Sequence, residues 1–249
     1  MSKREITCFR DRSELIEGAA RLIADGVCAR IQTVGKCYVS LSGGSTPQPV
    51  YERLAEPDLA DQIDWTKVYI SFGDERCVPP NHPESNYRMA RVALLDHLPI
   101  PVRNITRIQG ELEPHQAADL FKNEIAYRKQ DILILGMGED GHAASLFPHS
   151  AGLDDPSKWV IVTESPFQPK MRVSIAFRGI NAARTVIFLV AGKKKAGILA
   201  KVFQEREMEN PQLPAAMVRP TNGSLTWLVD LEAAGKLDLD LVMGEATRF

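Results

Sequence analysis

Apolar residues recur along this chain with two periods. Short runs rich in β-branched and aromatic residues, at 37–41, 68–72, 132–135, 159–163, 173–177 and 185–190, have the length and composition of strands. Several are apolar on both parities, so both faces must be covered, and this predicts a mainly parallel sheet with helices on both faces. The windows near 12–31, 47–55, 84–97, 114–128 and 193–207 carry the helical patterns that would supply the cover. In the first of them, Ser13 reads as the N-cap of an apolar stripe formed by Leu15, Ala19, Leu22, Ile23 and Val27. Proline-containing stretches at 79–83, 99–101, 148–156 and 211–220 read as connections. No repeat or shift of composition marks a boundary, and the 249 residues are read as a single α/β domain, 1–249. In such sheets ligands bind beyond the carboxyl ends of the strands, so the segments that follow strands are where chemistry is sought.

Composition narrows the partners. Thirty Lys plus Arg against thirty-two Asp plus Glu give a formal charge of −2, so no global field draws the chain to nucleic acid or to an anionic membrane. Any basic site must be local. No apolar run approaches the roughly 20 residues needed to span a bilayer, and the charged start Met-Ser-Lys-Arg-Glu has no leader-like apolar core. Cys8, Cys28, Cys37 and Cys77 form no C-x-x-C pair and lie in or beside apolar stretches, as buried free thiols do. These features predict a cytoplasmic location.

The segment GMGEDGHAASLFP at 136–148 follows the apolar run at 132–135 and contains Gly136-x-Gly138-x-x-Gly141, the spacing of a dinucleotide-binding turn. That turn needs a full helix after it, and Pro148, Gly152 and Pro156 leave room for barely one turn. Glu139 and Asp140 would also occupy the place of the pyrophosphate charge. No nucleotide cofactor is therefore expected. The same segment supports another chemistry: in Asp140-Gly-His142 a carboxylate two residues from an imidazole can fix its tautomer and raise its basicity, as a general base requires. An isolated D-x-H is also the pattern of a loop histidine beside a solvated acid. No metal is expected, because neither His142 nor His149 stands in a ligand spacing such as H-E-x-x-H.

Other post-strand segments carry the chemistry of an anion site. Ser42, Gly43, Gly44, Ser45 and Thr46 precede Pro47, with Thr46 read as N-cap and Pro47 as the first helical residue. Free N–H groups and hydroxyls there suit a phosphate, although a tight capped turn would look the same. The lysine of a nucleoside-triphosphate loop is lacking. Lys193, Lys194 and Lys195 open a helix, where cations oppose the macrodipole unless an anion compensates. Lys195 is the candidate to turn inward. Asp74 and Arg76 follow the strand at 68–72, and Arg172 precedes the run at 173–177. Both arginines offer a fork for phosphate oxygens or an ion-pair partner for nearby acids. Taken together, these segments describe a small phosphorylated substrate facing a base.

In this order, LSGGSTP (41–47), ISFGDERCVP (70–79), ESNYRMARVALL (84–95), ILGMGEDGHAASLFP (134–148), RVSIAF (172–177), GKKKA (192–196) and LTWLVD (225–230) resemble the 6-phosphogluconolactonases over nearly the whole chain. The resemblance implies a Rossmann-like sheet shared with glucosamine-6-phosphate deaminases and ribose-5-phosphate isomerases. It also implies cofactor-free hydrolysis of 6-phospho-D-glucono-1,5-lactone in the pentose phosphate pathway. By position, His142 matches the family's general base, with Asp140 beside it, and Ser42 to Thr46, Asp74, Arg76, Arg172 and Lys195 fall in its substrate-binding segments. Ala143 stands where threonine is more common. In the related deaminases a catalytic glutamate lies five residues after the histidine; here that residue is Phe147. A deaminase-like enzyme and a non-catalytic sugar-phosphate-binding module are the two alternatives, the second having no need of His142. The expected ligand is a small sugar-phosphate lactone, without nucleic acid, membrane or an obligatory protein partner.

Overall fold

A computed structural model describes residues 4–126, 128–151, 153, 155–208 and 211–238. Nine strands are formed by them: β1 Arg4–Phe9, β2 Cys37–Leu41, β3 Val68–Phe72, β4 Asp74–Arg76, β5 Ile132–Gly136, β6 Val160–Glu164, β7 Met171–Ile175, β8 Thr185–Val190 and β9 Ser224–Asp230. Six of them build one sheet in the order β1-β9-β8-β5-β2-β3, with every pair parallel. Val186 to Val190 of β8 are all buried, as are Ile132 to Leu135 of β5. Consecutive buried residues require apolar cover on both faces. The helices Arg12–Val34, Pro47–Leu54, Asn86–Ala93, Pro114–Ile125 and Ala196–Glu205 supply it, their apolar stripes entering the same core.

The remaining three strands depart from the sequence expectation. The runs at 159–163 and 173–177 do form β6 and β7, but they pair antiparallel with each other, and β4 pairs antiparallel with β7. The reason is the length of the connection. Only residues 165–170 join β6 to β7, whereas a parallel return needs a dozen or more. Phe177 belongs to the short helix Phe177–Asn181 instead of the strand. β1 and β9, which the sequence reading did not mark as strands, complete one end of the parallel sheet.

Two caps also differ. Asp11, not Ser13, caps the first helix, its carboxylate accepting from the Glu14 N–H at 2.9 Å. Thr46 has helical φ and ψ and makes no side-chain cap bond, although Pro47 does hold the first helical position. Among the connections, 211–220 contains the short helix Pro214–Met217. Gly152, at the centre of 148–156, and Tyr127, near the end of the expected helix 114–128, lie outside the described residues.

β3 and β4 are separated by Gly73 alone. Its N–H donates to Leu41 O of β2 at 2.8 Å and its carbonyl accepts from Ile175 N of β7 at 2.8 Å, so one residue is bonded into both sheets.

Candidate active site

The neighbours β8, β5, β2 and β3 run parallel and end at the same edge, and the segment after each opens onto one cavity of about 580 Å³. Lys195 comes from the segment after β8, His142 from that after β5, Ser42 to Thr46 from that after β2, and Asp74 and Arg76 from that after β3. Arg172 on β7 closes the far wall. Every expected site residue is therefore brought to this cavity except Asp140, which lies behind His142 and touches it. Among the described residues, a second cavity of similar size, about 590 Å³ between Trp159, Phe177 and Arg178, is lined by no histidine or cysteine.

The turn after β5 is built around the histidine. Gly138 N donates to His142 O at 2.9 Å and Gly141 N to Gly138 O at 3.2 Å, with Gly141 at φ 82°. A Cβ on Gly138 would fall 2.1 Å from His142 Nδ1 and 2.5 Å from Asp140 Oδ1. The glycine spacing thus makes room for the His–Asp pair. Among the described residues no helix follows before Phe177, so the turn lacks the element a pyrophosphate site needs.

His142 Nδ1 lies 2.5 Å from Asp140 Oδ1, which also accepts from the His142 main-chain N–H at 3.1 Å. With the carboxylate accepting from Nδ1–H, Nε2 is the ring nitrogen that carries the lone pair. Burial alone would raise the Asp140 carboxyl, but the hydrogen bond to His142, its charge and main-chain donors outweigh burial and hold it below the usual carboxylate range. The imidazole rests against Phe147, ring centroids 4.7 Å apart.

The Ser42–Thr46 loop is gripped from beneath. The buried Tyr51 hydroxyl accepts from Ser42 N at 2.8 Å and donates to Ser42 O at 2.9 Å, and burial raises its pKa so that it keeps its proton. Gly44 takes φ 110°, a conformation that favours glycine.

Arg76 and Arg172 occupy directly paired positions of β4 and β7. Arg172 is 5% exposed; its Nη2 is 3.5 Å from Ser165 Oγ, and its Nη1 has no partner among the described residues. Burial, and then the neighbouring Arg76 charge, push the Arg172 pKa down. Arg76 Nη1 donates to Glu84 O at 2.5 Å. Lys195 Nζ donates to Met137 O at 2.7 Å; burial lowers its pKa while Glu139 and Asp140 oppose the shift. These cations converge on a cavity with a buried donor unspent, which is the electrostatic form of an anion site.

Several residues that the sequence reading did not single out complete the arrangement. Ser145 donates to Asp74 Oδ2 at 2.5 Å, and Asn86, Ser165, Phe167 and Gln168 also line the cavity. Glu75 is buried outside the lining and braces it, accepting from Arg76 N, Asn86 N, Tyr87 N and Ser85 Oγ at 2.7–3.0 Å. Burial pushes its pKa up against the pull of those four bonds. The sequence signal for Glu75, Asn86 and Ser145 was their presence within the segments 70–79, 84–95 and 134–148, where no spacing distinguished them from surface polar residues; Ser165, Phe167 and Gln168 lie outside every segment singled out.

Comparison with known proteins decides the family. The model described as glucosamine-6-phosphate isomerases/6-phosphogluconolactonase matches residues 10–227. The chain belongs to this family. Within the glucosamine-6-phosphate isomerase/6-phosphogluconolactonase family it is 41% identical over 200 residues to a 6-phosphogluconolactonase of Haemophilus influenzae, covering 79% of this chain and 85% of that one. It is 38% identical over 245 residues to the Homo sapiens 6-phosphogluconolactonase, covering 93% of each. The solved structure of the Thermotoga maritima 6-phosphogluconolactonase superposes with a TM-score of 0.79 at 32% identity, over 92% of this chain and 100% of that one. A monomeric glucosamine-6-phosphate deaminase shares the fold at a TM-score of 0.82 and 18% identity, over 93% of this chain and 99% of that one. Among the described residues no cluster of three or more His, Cys, Asp or Glu is placed to hold a metal, and no helix is long and apolar enough to cross a membrane.

Proposed function

We propose that this protein is a 6-phosphogluconolactonase that hydrolyses 6-phospho-D-glucono-1,5-lactone to 6-phospho-D-gluconate in the oxidative pentose phosphate pathway. The observation that carries this reading is that His142, backed by Asp140, opens onto the same cavity as Arg172, whose Nη1 has no partner among the described residues.

Arg172, Lys195 and the Ser42–Thr46 loop hold the phosphate, with Arg76 adding a second guanidinium. This places the lactone ring beside the imidazole. His142 Nε2 takes a proton from water as the water oxygen bonds to the C1 carbonyl carbon, and the carbonyl π electrons move to oxygen. Collapse of that intermediate re-forms the carbonyl and breaks the bond from C1 to the ring oxygen, which takes the proton back from the His142 imidazolium as the C5 hydroxyl. Asp140 holds the ring in its tautomer and stabilises the imidazolium between the two transfers. The N–H groups of Gly138 and His142 are committed inside the turn, to His142 O and Asp140 Oδ1, and do not serve the oxyanion.

The deaminase alternative is disfavoured by Phe147, whose apolar ring packs on His142 where that chemistry places a carboxylate. The free thiols of Cys8, Cys28, Cys37 and Cys77, with pKa values raised by burial and that of Cys37 pushed up to about 12, support a reducing, cytoplasmic setting. Acid release from freshly prepared lactone, corrected for spontaneous hydrolysis at the same pH, tests the proposal. A corrected rate of zero with folded protein overturns it.

A further inference from the structure

The Ser42–Thr46 loop commits its carbonyls and its N–H groups differently. Every carbonyl from 42 to 45 meets a protein donor. Ser42 O accepts from the Tyr51 hydroxyl at 2.9 Å, Gly43 O from the Ser42 hydroxyl at 3.4 Å, Gly44 O from the Gln48 N–H at 3.3 Å, and Ser45 O from Arg12 Nη2 at 2.6 Å. Among the described residues, none of the N–H groups of Gly43, Gly44, Ser45 and Thr46 has a protein acceptor. A trans peptide unit directs its C=O and its N–H to opposite sides. Tying down one oxygen therefore aims the next residue's N–H the other way. Gly44 and Ser45 are exposed and line the cavity, so this row of donors is within reach of a bound anion.

Tyr51 and Gln48 belong to the helix that the loop opens, Pro47–Leu54. Arg12 does not. It is the first residue of the helix Arg12–Val34, lies 33 residues away in sequence, and is exposed outside the cavity lining. Acids stand beside it in sequence, yet Asp11 and Glu14 pair with Arg10. The Arg12 guanidinium goes to a neutral main-chain oxygen instead, in the shortest of the four carbonyl contacts.

The peptide unit it holds is the one that the loop's own helix leaves untied. Pro47 has no N–H, so the Thr46 N–H is the last donor before the helix, and the Thr46 side chain makes no cap bond. Without Arg12 the Ser45–Thr46 unit is able to turn over, which would present an oxygen to the phosphate and withdraw a donor from it. We propose that Arg12 is a positioning residue for phosphate binding: from outside the cavity it holds the Ser45 carbonyl back and keeps the Thr46 N–H turned toward the bound phosphate. This rests on the reading of the loop as the phosphate-binding segment of a lactonase site. Arg12 itself touches neither the substrate nor the reacting atoms.

Arg12→Met keeps the reach of the side chain and removes both donor and charge. It is compared with wild type on 6-phosphogluconolactone and on unphosphorylated gluconolactone, at low and at raised ionic strength. In parallel, the Thr46 amide resonance is followed by NMR as inorganic phosphate is added. In Arg12→Met, KM for the phosphorylated lactone rises roughly 2- to 10-fold, the worth of one hydrogen bond, with kcat little changed. Turnover of the unphosphorylated lactone stays at the wild-type value. The loss relative to wild type survives added salt, which screens a distant charge but not the orientation of a peptide unit. The Thr46 amide resonance moves with phosphate in wild type and moves much less in Arg12→Met. A purely structural tether would lower both lactones by the same factor. That outcome, a loss abolished by salt, or a wild-type Thr46 amide indifferent to phosphate overturns the proposal. If Arg12→Met does not fold, Arg12→Lys, with one ammonium in place of a fork, is measured in the same way, and its smaller loss must again be confined to the phosphorylated lactone. Absence of catalysed turnover of 6-phosphogluconolactone overturns the lactonase reading alone. The response of Thr46 to inorganic phosphate still decides the role of Arg12.

Discussion

Arg76 and Arg172 stand opposite one another on adjacent antiparallel strands, two cations where cross-strand pairing ordinarily disfavours like charge. The depressed pKa of Arg172 records the same repulsion, second to burial. An anion between them relieves it. Inorganic phosphate and 6-phosphogluconate are therefore expected to raise the melting temperature of wild type in a concentration-dependent way, and to raise that of Arg172→Met much less. Equal shifts in the two proteins, measured by differential scanning fluorimetry at constant ionic strength, would remove the phosphate from this position.

Loss of one charge-assisted contact costs roughly 1.5–3 kcal/mol. Arg172→Ala and Lys195→Ala should each raise KM for the phosphorylated lactone about tenfold or more. Unphosphorylated gluconolactone, expected to be a far poorer substrate, should barely respond to either change. Steady-state kinetics on the two lactones gives the answer.

His142→Asn preserves approximate size but cannot accept the proton. Its kcat is expected to fall by about 10²–10⁴ with KM little changed, since the phosphate contacts stay intact. Asp140→Asn should show a smaller loss in the same parameter, because it removes orientation and leaves the base. Background-corrected kcat close to wild type in folded His142→Asn would falsify the general-base assignment.

The Asp140 carboxyl also makes a prediction about stability. Its folded pKa is depressed, so it stabilises the fold above the unfolded carboxylate pKa, about 3.9, and that stabilisation is lost as pH falls through the lower folded value. The difference in melting temperature between wild type and Asp140→Asn should therefore hold between pH 5 and 8, taken as roughly the plateau of such profiles. It should begin to close as pH falls below about 3.9 and vanish only below the lower folded value. A difference that persists unchanged in acid would mean the carboxylate is not what the turn depends on.

Glu75→Gln tests the brace. An amide offers one acceptor oxygen to four donors, so buried N–H groups are left unpaired at a cost of about 1–3 kcal/mol. Melting temperature and kcat/KM should fall together, because the residues that Glu75 pins include Arg76 and Asn86.

The sequence carried the centre of the fold more clearly than its edges. β2, β3, β5 and β8 are buried on both faces; β5 and β8 announce themselves as continuous apolar runs, β2 and β3 as runs interrupted by a single serine. β1 is a strand at the sheet margin, with Glu5 exposed and Thr7 and Cys8 only partly covered, and it has no such signature. β6 and β7 were legible as strands but not in their direction, although the short connection at 165–170 contained that information. In the site, residues with distinctive chemistry were legible: the imidazole with its acid, the forked and ammonium cations, the glycine loop. Asn86, Ser145 and Glu75 were not, because their importance lies in which partners they meet across 10, 12 and 71 residues of sequence.

Gly73 ties these two kinds of information together. The imidazole is carried by the parallel sheet and the paired guanidinium groups by the antiparallel one, and the main-chain bonds from Gly73 to Leu41 and Ile175 join the two, together with the side-chain bonds that Ser145 makes or accepts with Asp74, Ser174 and Thr163. On the proposed reading, the reach of the site from phosphate to scissile carbon is thus gauged in good part by backbone. Core side chains can drift over evolutionary time, changing how firmly the protein folds, while the length of sugar it measures stays the same.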